Sequence, residues 1–164
     1  MTASVRASCY GRPKMDPNFE KCLKNGGLTN FETDGAIIQK ELDAATLDLE
    51  GAHKSLSEPD SKWATIKAYY SMFHAAKGLL YSKGYREKSH NCLAVAIKGL
   101  FVDEGAMDAK HYTRLKDCKH LREEADYGMV FSSESAAEAI QWADEFLQAT
   151  KGLIGKHSQS KSAP

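Results

Sequence analysis

The sequence contains little cysteine and little proline, with four residues of each among 164, and it has no long apolar run. No segment approaches the roughly 20 apolar residues that cross a bilayer, and the amino-terminal segment lacks the apolar core of a secretory signal. The cysteines form no Cys-x-x-Cys pair, and a domain of this length needs no disulfide for stability. We therefore expect a cytoplasmic protein without membrane contact, in which four thiols stay reduced, namely Cys9, Cys22, Cys92 and Cys118.

A net charge is also lacking, because 22 basic residues balance 22 acidic ones. A neutral chain exerts no overall attraction on nucleic acid, so any contact with nucleic acid has to come from a local basic patch. Weak self-repulsion also permits copies of the chain to associate. Hydrophobic residues make up 42% of the sequence, which is typical of a folded globular domain.

Apolar residues recur at helical spacing, and no stretch shows sustained strand-type alternation. The second helical segment is apolar on two faces, which is typical of a central helix in a bundle. Short connections favour antiparallel neighbours. The sequence therefore predicts an all-α fold, an antiparallel up-and-down bundle of four to five helices, with helices over about 34–56, 61–82, 90–102, 108–127 and 133–154.

The two ends of the chain differ in composition from this core. Residues 1–31 hold two prolines and the Gly26-Gly27 pair, and we expect them to form a loosely ordered arm. Residues 155–164 are polar, and we expect a disordered tail. The helical domain is then predicted over residues 32–154.

One histidine stands in the middle of the predicted central helix. His74 occurs in the segment Tyr-Tyr-Ser-Met-Phe-His-Ala-Ala, and Tyr70 lies four residues before it on the same face. A buried imidazole costs free energy unless its nitrogens find partners. His74 is therefore either a hydrogen-bonded core residue or a groove residue that faces a ligand.

The predicted fourth helix carries a possible ion pair and a row of basic residues. Arg122 and Asp126 lie four residues apart, which suits either a minor helix-end salt bridge or part of a site. The basic row either contacts phosphates or forms a solvated face, and it comprises Lys110, Arg114, Lys116, Lys119 and His120. The loop at residues 83–90 adds further basic and aromatic side chains that include Lys88 and His90.

Taken together, these segments resemble the small prokaryotic branch of the HEPN family. The resemblance rests on Tyr-Tyr-x-Met-Phe-His-Ala-Ala, on Lys88-Ser89-His90 and on Arg-x-x-x-Asp-Tyr ending at Tyr127, and it covers roughly residues 34–154. It implies an antiparallel helical bundle that commonly dimerises. It also implies one of three roles: a toxin–antitoxin partner of a minimal nucleotidyltransferase, a nucleotide-binding module, or a metal-independent endoribonuclease.

The sequence departs from the motif of the catalytic branch of that family. In that branch an arginine is followed, after four to six residues, by a histidine. The positions five to seven residues after Arg122 hold Tyr127, Gly128 and Met129 instead. The pair Arg114 and His120 fits the spacing, but the tyrosine and aspartate of the motif align with Arg122.

We therefore interpret the chain as a partner-binding HEPN protein of a toxin–antitoxin or defence-type system, with an endoribonuclease and a nucleotide-binding module as alternatives. We expect a homodimer, a nucleotidyltransferase-type partner, and RNA or a nucleotide as ligand, with no metal ion and no cofactor. The candidate catalytic residues, expected to converge with Tyr70 in one groove, are His74, Arg122 and Asp126. The candidate ligand-binding residues are Tyr70, Tyr127, Lys88, His90, Arg114 and Lys119.

Overall fold

The computed structural model describes the backbone of residues 15–161, and helices dominate this range, as the sequence predicted. The elements in chain order are α1 (Pro17–Lys24), β1 (Leu28–Asn30), α2 (Gly35–Ser57), α3 (Ser61–Ser82), β2 (Tyr85–Glu87), α4 (His90–Ile97), α5 (Ala109–Glu123) and α6 (Ser133–Lys161). Helix α4 continues as a π-helical turn over Lys98–Val102, and α5 does so over Glu124–Gly128. Within this range, no helix is both long enough and apolar enough to cross a bilayer.

Local sequence signals set the helix ends. Asp34 caps α2 by accepting a hydrogen bond of 3.0 Å from the Ile37 amide, and Asp60 caps α3 in the same way through the Trp63 amide. Gly84 follows α3 with φ +80°, and its amide bonds to the Tyr81 carbonyl. That left-handed conformation suits glycine, so the chain turns sharply there and enters β2.

Helix α3 is the central helix, and it packs against α2, α4, α5 and α6. Four alanines on it, Ala64, Ala68, Ala75 and Ala76, have no exposed surface. Such small side chains let neighbouring backbones approach closely, while larger apolar residues fill the remaining volume. The two-sided apolar pattern thus reflects a helix that is covered on most sides.

The expectation of a loose arm up to residue 31 is wrong for residues 17–30, which form α1 and β1. Asp16 caps α1, and Phe19 packs edge-on against Tyr85 and is 1% exposed. Strand β1 pairs antiparallel with β2, with Leu28 opposite Glu87. Strands of three residues are too short to show alternation, so the sequence pattern could not indicate them.

The expected disordered tail is also corrected in part, because α6 runs through Lys161. Residues 155–158 of α6 are mostly exposed, so the helix extends beyond the residues that pack on the core. Residues 1–14 and 162–164 lie outside the described residues, as do the predictions made for them.

Cys22 and Cys92 form a disulfide, so the expectation of reduced thiols is wrong for this pair. They are 70 residues apart in sequence, and the packing of α1 against α4 brings them together. Such a pairing carries no signal in cysteine spacing. Cys118 is a buried free thiol whose pKa is raised to about 12 by burial, and Cys9 lies outside the described residues.

Candidate functional site

His74 lies in a cluster of carboxylates rather than beside Arg122. Its Nδ1 is 2.7 Å from Glu41 Oε2 and its Nε2 is 3.7 Å from Asp48 Oδ2, both on α2. Burial raises the pKa of Glu41, but the hydrogen bonds from His74 and Lys77 outweigh it, and the pKa stays below its ordinary value. Both imidazole nitrogens of His74 therefore face α2. The structure does not bring His74 into the groove that was predicted for it with Arg122.

Arg122 is a nearly buried cation near the end of α5, with a side chain 10% exposed. Its guanidinium lies over the rings of Tyr69 and Tyr70, 5.2 and 5.8 Å from their centroids, on the central helix α3. Asp126 lies 3.7 Å from Nη1, while Nε has no hydrogen-bond partner among the described residues. The structure thus brings Arg122, Asp126 and Tyr70 together. A buried guanidinium with an unused donor favours an anionic partner.

The imidazole that lies near Arg122 is that of His90, at the first position of α4. Ser89 caps this helix by accepting a hydrogen bond from the Cys92 amide. This cap fixes where α4 begins and so positions His90. The His90 ring stacks on Phe73, with centroids 4.4 Å apart, and its Nδ1 is hydrogen-bonded to the Tyr69 hydroxyl. The sequence prediction named His90 only as a ligand-binding residue, and it did not place Tyr69 in the site.

The environment of His90 favours its neutral form. Burial lowers the pKa of His90 below its ordinary value, and the nearby charges of Arg122 and Lys119 lower it further. Burial also raises the pKa of the Tyr69 hydroxyl, although Arg122 acts in the opposite direction. At neutral pH the site therefore contains a neutral imidazole, a protonated phenol and a permanent guanidinium.

His90 lines a surface groove of about 380 Å³ between α3, α4 and α5. We call it the His90 groove, and the lining residues that matter below are Tyr69, His90, Asn91, Tyr112, Lys116 and Lys119. Lys119 is held by Glu123 at 2.7 Å, and Lys116 lies 5.2 Å from the centroid of the Tyr112 ring. The groove thus combines cations, an imidazole and the partly buried aromatic ring of Tyr112.

The remaining predicted residues lie in different places. Arg114 pairs with Glu145 of α6, so its charge is directed away from the His90 groove. His120 lines the groove and is 3.4 Å from Glu124. Lys88 is exposed and its amide bonds to the Gly27 carbonyl. The alternative pair of Arg114 and His120 is therefore not brought together.

Tyr127 belongs to an apolar surface rather than to the groove. We define the apolar surface by five exposed side chains, Trp63, Tyr127, Met129, Val130 and Phe131, with exposed fractions from 43% to 78%. Lys62 lies between Trp63 of α3 and the loop that carries Met129, because its Nζ is 3.9 Å from Met129 Sδ and 5.9 Å from the centroid of the Trp63 ring. Met129 adopts a left-handed backbone with φ 54°, which turns the loop outward after α5.

Three comparisons with known proteins bear on this arrangement. The chain is similar to a UPF0332 protein of Archaeoglobus fulgidus, 34% identical over 92 residues, or 55% of this chain and 73% of that protein. It is 30% identical over 110 residues to "Putative toxin MJ0605" of Methanocaldococcus jannaschii, or 67% of this chain and 82% of that protein. It is 25% identical over 123 residues to "Putative toxin MJ0142" of the same organism, or 73% of this chain and 84% of that protein.

A protein-family model for the HEPN domain matches residues 38–153. This range includes most of α2 and all of α3 to α5, so it contains Tyr69 and His90 of the groove and the adjacent Arg122. The match agrees with the helical order predicted and observed. The chain therefore belongs to the HEPN domain family.

Proposed function

We propose that this chain is a toxin-type HEPN protein that binds RNA through its phosphates in the His90 groove. The observation that carries the proposal is that Lys116, Lys119 and the neutral His90 line one groove, with the nearly buried guanidinium of Arg122 against the Tyr69 ring of its lining. The two relatives named with the word toxin support the biological setting. We further propose a cytoplasmic location, where such a protein would meet RNA.

The shape of the groove favours a single strand over an isolated anion. Lys116 and Lys119 are three residues apart on α5, so their charges follow one helical face along the groove. The ring of Tyr112 lines the same groove and offers a surface on which a base can stack. Single-stranded RNA presents both unstacked bases and a regular row of phosphates, which suits this combination.

The groove also has the groups for metal-independent RNA cleavage. In the tautomer in which Nδ1–H of His90 donates to the Tyr69 hydroxyl oxygen, Nε2 is unprotonated and can accept the proton of a ribose 2′-hydroxyl. The 2′-oxygen then forms a bond to phosphorus and the bond to the 5′-oxygen breaks. The leaving 5′-oxygen takes a proton from water and His90 returns its proton to solvent, which leaves a cyclic phosphate and a 5′-hydroxyl. Arg122 and Lys119 would stabilise the charge that develops on the phosphate oxygens. His90 would thus supply, from another helix, the histidine that is missing after Arg122.

Binding is tested by fluorescence anisotropy with a labelled single-stranded RNA. We expect Lys119→Gln and Arg122→Met each to weaken binding at least 5-fold, and circular dichroism shows whether Arg122→Met keeps its fold. The control is Lys54→Gln on α2, where the side chain is exposed and pairs only with Glu58 in the adjacent turn. RNA binding that is absent in the parent protein, or equal in all variants, would rule out the groove as the RNA site.

Cleavage is tested in the presence of a metal chelator, with His90→Gln as the variant. We expect the parent protein to produce cyclic phosphate ends and His90→Gln to lose this activity while it still binds RNA. An RNA with a 2′-deoxy linkage at the cut site should bind and stay intact, because it lacks the nucleophile. RNA that stays intact at high protein concentration would mean that the protein binds RNA without cleaving it.

A second candidate function is partner binding, and the apolar surface favours it. Large apolar side chains that cluster on a monomer surface mark interaction sites. We propose that this surface contacts a nucleotidyltransferase-type antitoxin or a second copy of the chain. Light scattering should give about twice the chain mass of 18.1 kDa for a homodimer, and Phe131→Asp should convert it to a monomer. A parent protein that is monomeric and copurifies with no protein from its host would contradict this function.

A further inference from the structure

The segment that contains α1 and β1 lies outside the range matched by the HEPN model, which begins at residue 38. This segment packs on the helical domain through Phe19 and Leu28, which are each 1% exposed and belong to the shared hydrophobic core. Phe19 packs on Tyr85, Asp16 pairs with Lys98 at 3.0 Å, and β1 pairs with β2 over three residues. A helix of eight residues is marginal by itself. The Cys22–Cys92 disulfide adds a covalent link between α1 and α4 to these contacts.

That covalent link ends at the His90 groove. Cys92 lies two residues after His90 in the first turn of α4, and its amide donates to the Ser89 side chain that caps the helix. On the other side of the link, Asn18 of α1 lines the same groove. The disulfide thus joins one wall of the groove to the turn that positions His90.

We propose that the Cys22–Cys92 bond is a redox-controlled latch that fastens α1 beside the His90 groove. Most of the hydrophobic core lies in α2 to α6 around α3, and α1 and β1 add Phe19, Cys22 and Leu28 to it, so the bond ties a short extension to that core. In the cytoplasmic location proposed above, a disulfide is usually transient or redox-sensing. This supports a latch over a permanent structural bond.

The latch opens by thiol–disulfide exchange with a cellular dithiol. One thiolate of the dithiol attacks a sulfur of the Cys22–Cys92 bond and forms a mixed disulfide, and the second thiol of the donor then displaces the protein thiol. The two protein sulfurs gain two electrons and two protons, and the donor becomes a disulfide. Both cysteines are nearly buried, at 5% and 7% exposed, so the attack follows a local opening of α1.

The effect on ligand binding rests on the function proposed above. With the latch closed, Asn18 and the start of α4 are held in place, so the groove is preorganised for its ligand. With the latch open, α1 is free to leave and one wall of the groove is lost. We expect reduction to weaken RNA binding at least 3-fold, without unfolding of the helical domain.

Hydrogen–deuterium exchange on the full chain tests the latch independently of RNA. After reduction with dithiothreitol, we expect faster exchange in residues 16–30 and at the start of α4, with little change in α3. The variant Cys22→Ser/Cys92→Ser should behave as the reduced protein under all conditions, whereas Cys118→Ala, which retains the bond, should respond to reduction as the parent does. NMR signals of the His90 ring should move between the two redox states.

Two results would overturn the latch. One is identical exchange in residues 16–30 for the oxidised, reduced and double-serine proteins. The other is loss of protection throughout α3 on reduction, which would make the disulfide a requirement for folding. If RNA binds in neither redox state, the proposed function fails, while the exchange data still decide on the latch.

Discussion

The salt dependence of RNA binding tests how many cations of the His90 groove contact phosphate. Lys116 and Lys119 line the groove, and Arg122 lies against Tyr69 of its lining; we assign one phosphate contact to each of these three cations. Each phosphate contact on a single strand contributes about −0.7 to the slope of log affinity against log salt. We therefore expect a slope of about −2 for the parent protein. That slope corresponds to about a 20-fold loss of affinity between about 50 and 200 mM salt.

Removing one of these cations should change the slope by a known amount. Lys116→Gln is the best choice, because Lys116 is exposed and has no ion-pair partner among the described residues. We expect its slope to fall to about −1.4, with about a 5-fold weaker affinity near 0.1 M salt. Lys54→Gln on α2 removes an equally exposed charge far from the groove, and it should leave the slope unchanged.

Removing the charge of Glu123, an acidic residue that lines the groove, should strengthen RNA binding rather than weaken it. Glu123 holds Lys119 at 2.7 Å, and this hydrogen bond keeps the pKa of Glu123 below its ordinary value, so the carboxylate is charged at neutral pH. A phosphate has to compete with it for Lys119. We expect Glu123→Gln to bind RNA more tightly than the parent. A parent slope near zero, or equal slopes for Lys116→Gln and Lys54→Gln, would refute the assignment of these cations to phosphate contacts.

Three further predictions concern stability. An alanine Cβ at Gly27 would lie 2.5 Å from Cys92 Sγ, so Gly27→Ala should lower the free energy of unfolding of the oxidised protein in urea by about 1–3 kcal/mol, and by less after reduction. As the control, Gly152→Ala should not destabilise the protein, because a Cβ there meets nothing within 4 Å. Equal losses of stability at both sites would contradict the packing around Gly27. His111 is 7% exposed, and burial followed by two neighbouring cations lowers its pKa. As the pH falls below about 6.5, the unfolded chain therefore binds more protons than the folded protein, so the free energy of unfolding should decrease in acid. The variant His111→Phe should show a smaller decrease. An unchanged pH profile of unfolding in this variant would contradict the assignment to His111. Leu79 has no exposed surface, so Leu79→Ala should lower the free energy of unfolding, measured by thermal unfolding, by about 2–5 kcal/mol. A loss below about 1 kcal/mol would mean that this side chain is not in the core.

Several parts of the fold could be predicted because they depend on short-range patterns. The caps at Asp34 and Gly84 act within one turn of their helix, so the sequence places the ends of α2 and α3 closely. The apolar residues on two faces of α3 indicated a central helix for a physical reason, since a helix covered by neighbours has no polar side. The resemblance to the HEPN family rested on the same segments, and it is confirmed by the family match.

The site was harder to predict because it depends on rotations that sequence spacing does not determine. Tyr70 and His74 are four residues apart, yet Tyr70 contacts Arg122 while His74 contacts Glu41 on α2. Four residues of an α-helix rotate about 40° beyond one full turn, and this rotation is enough to direct the two side chains to different helices. His90 takes the place expected for His74 because the Ser89 cap starts α4 beside the Tyr69 ring.

The sequence by itself determined the helices α2 to α6, their order and the family, since these follow from periodicity and capping within a few residues of each other. Only the tertiary structure decided which histidine lies with Arg122 beside Tyr69, and that Cys22 bonds to Cys92. Both pairings join residues that are far apart in the chain, and their contact depends on how whole helices are rotated and packed against α3. Packing of that kind is fixed by the sum of many weak contacts, which no local pattern records.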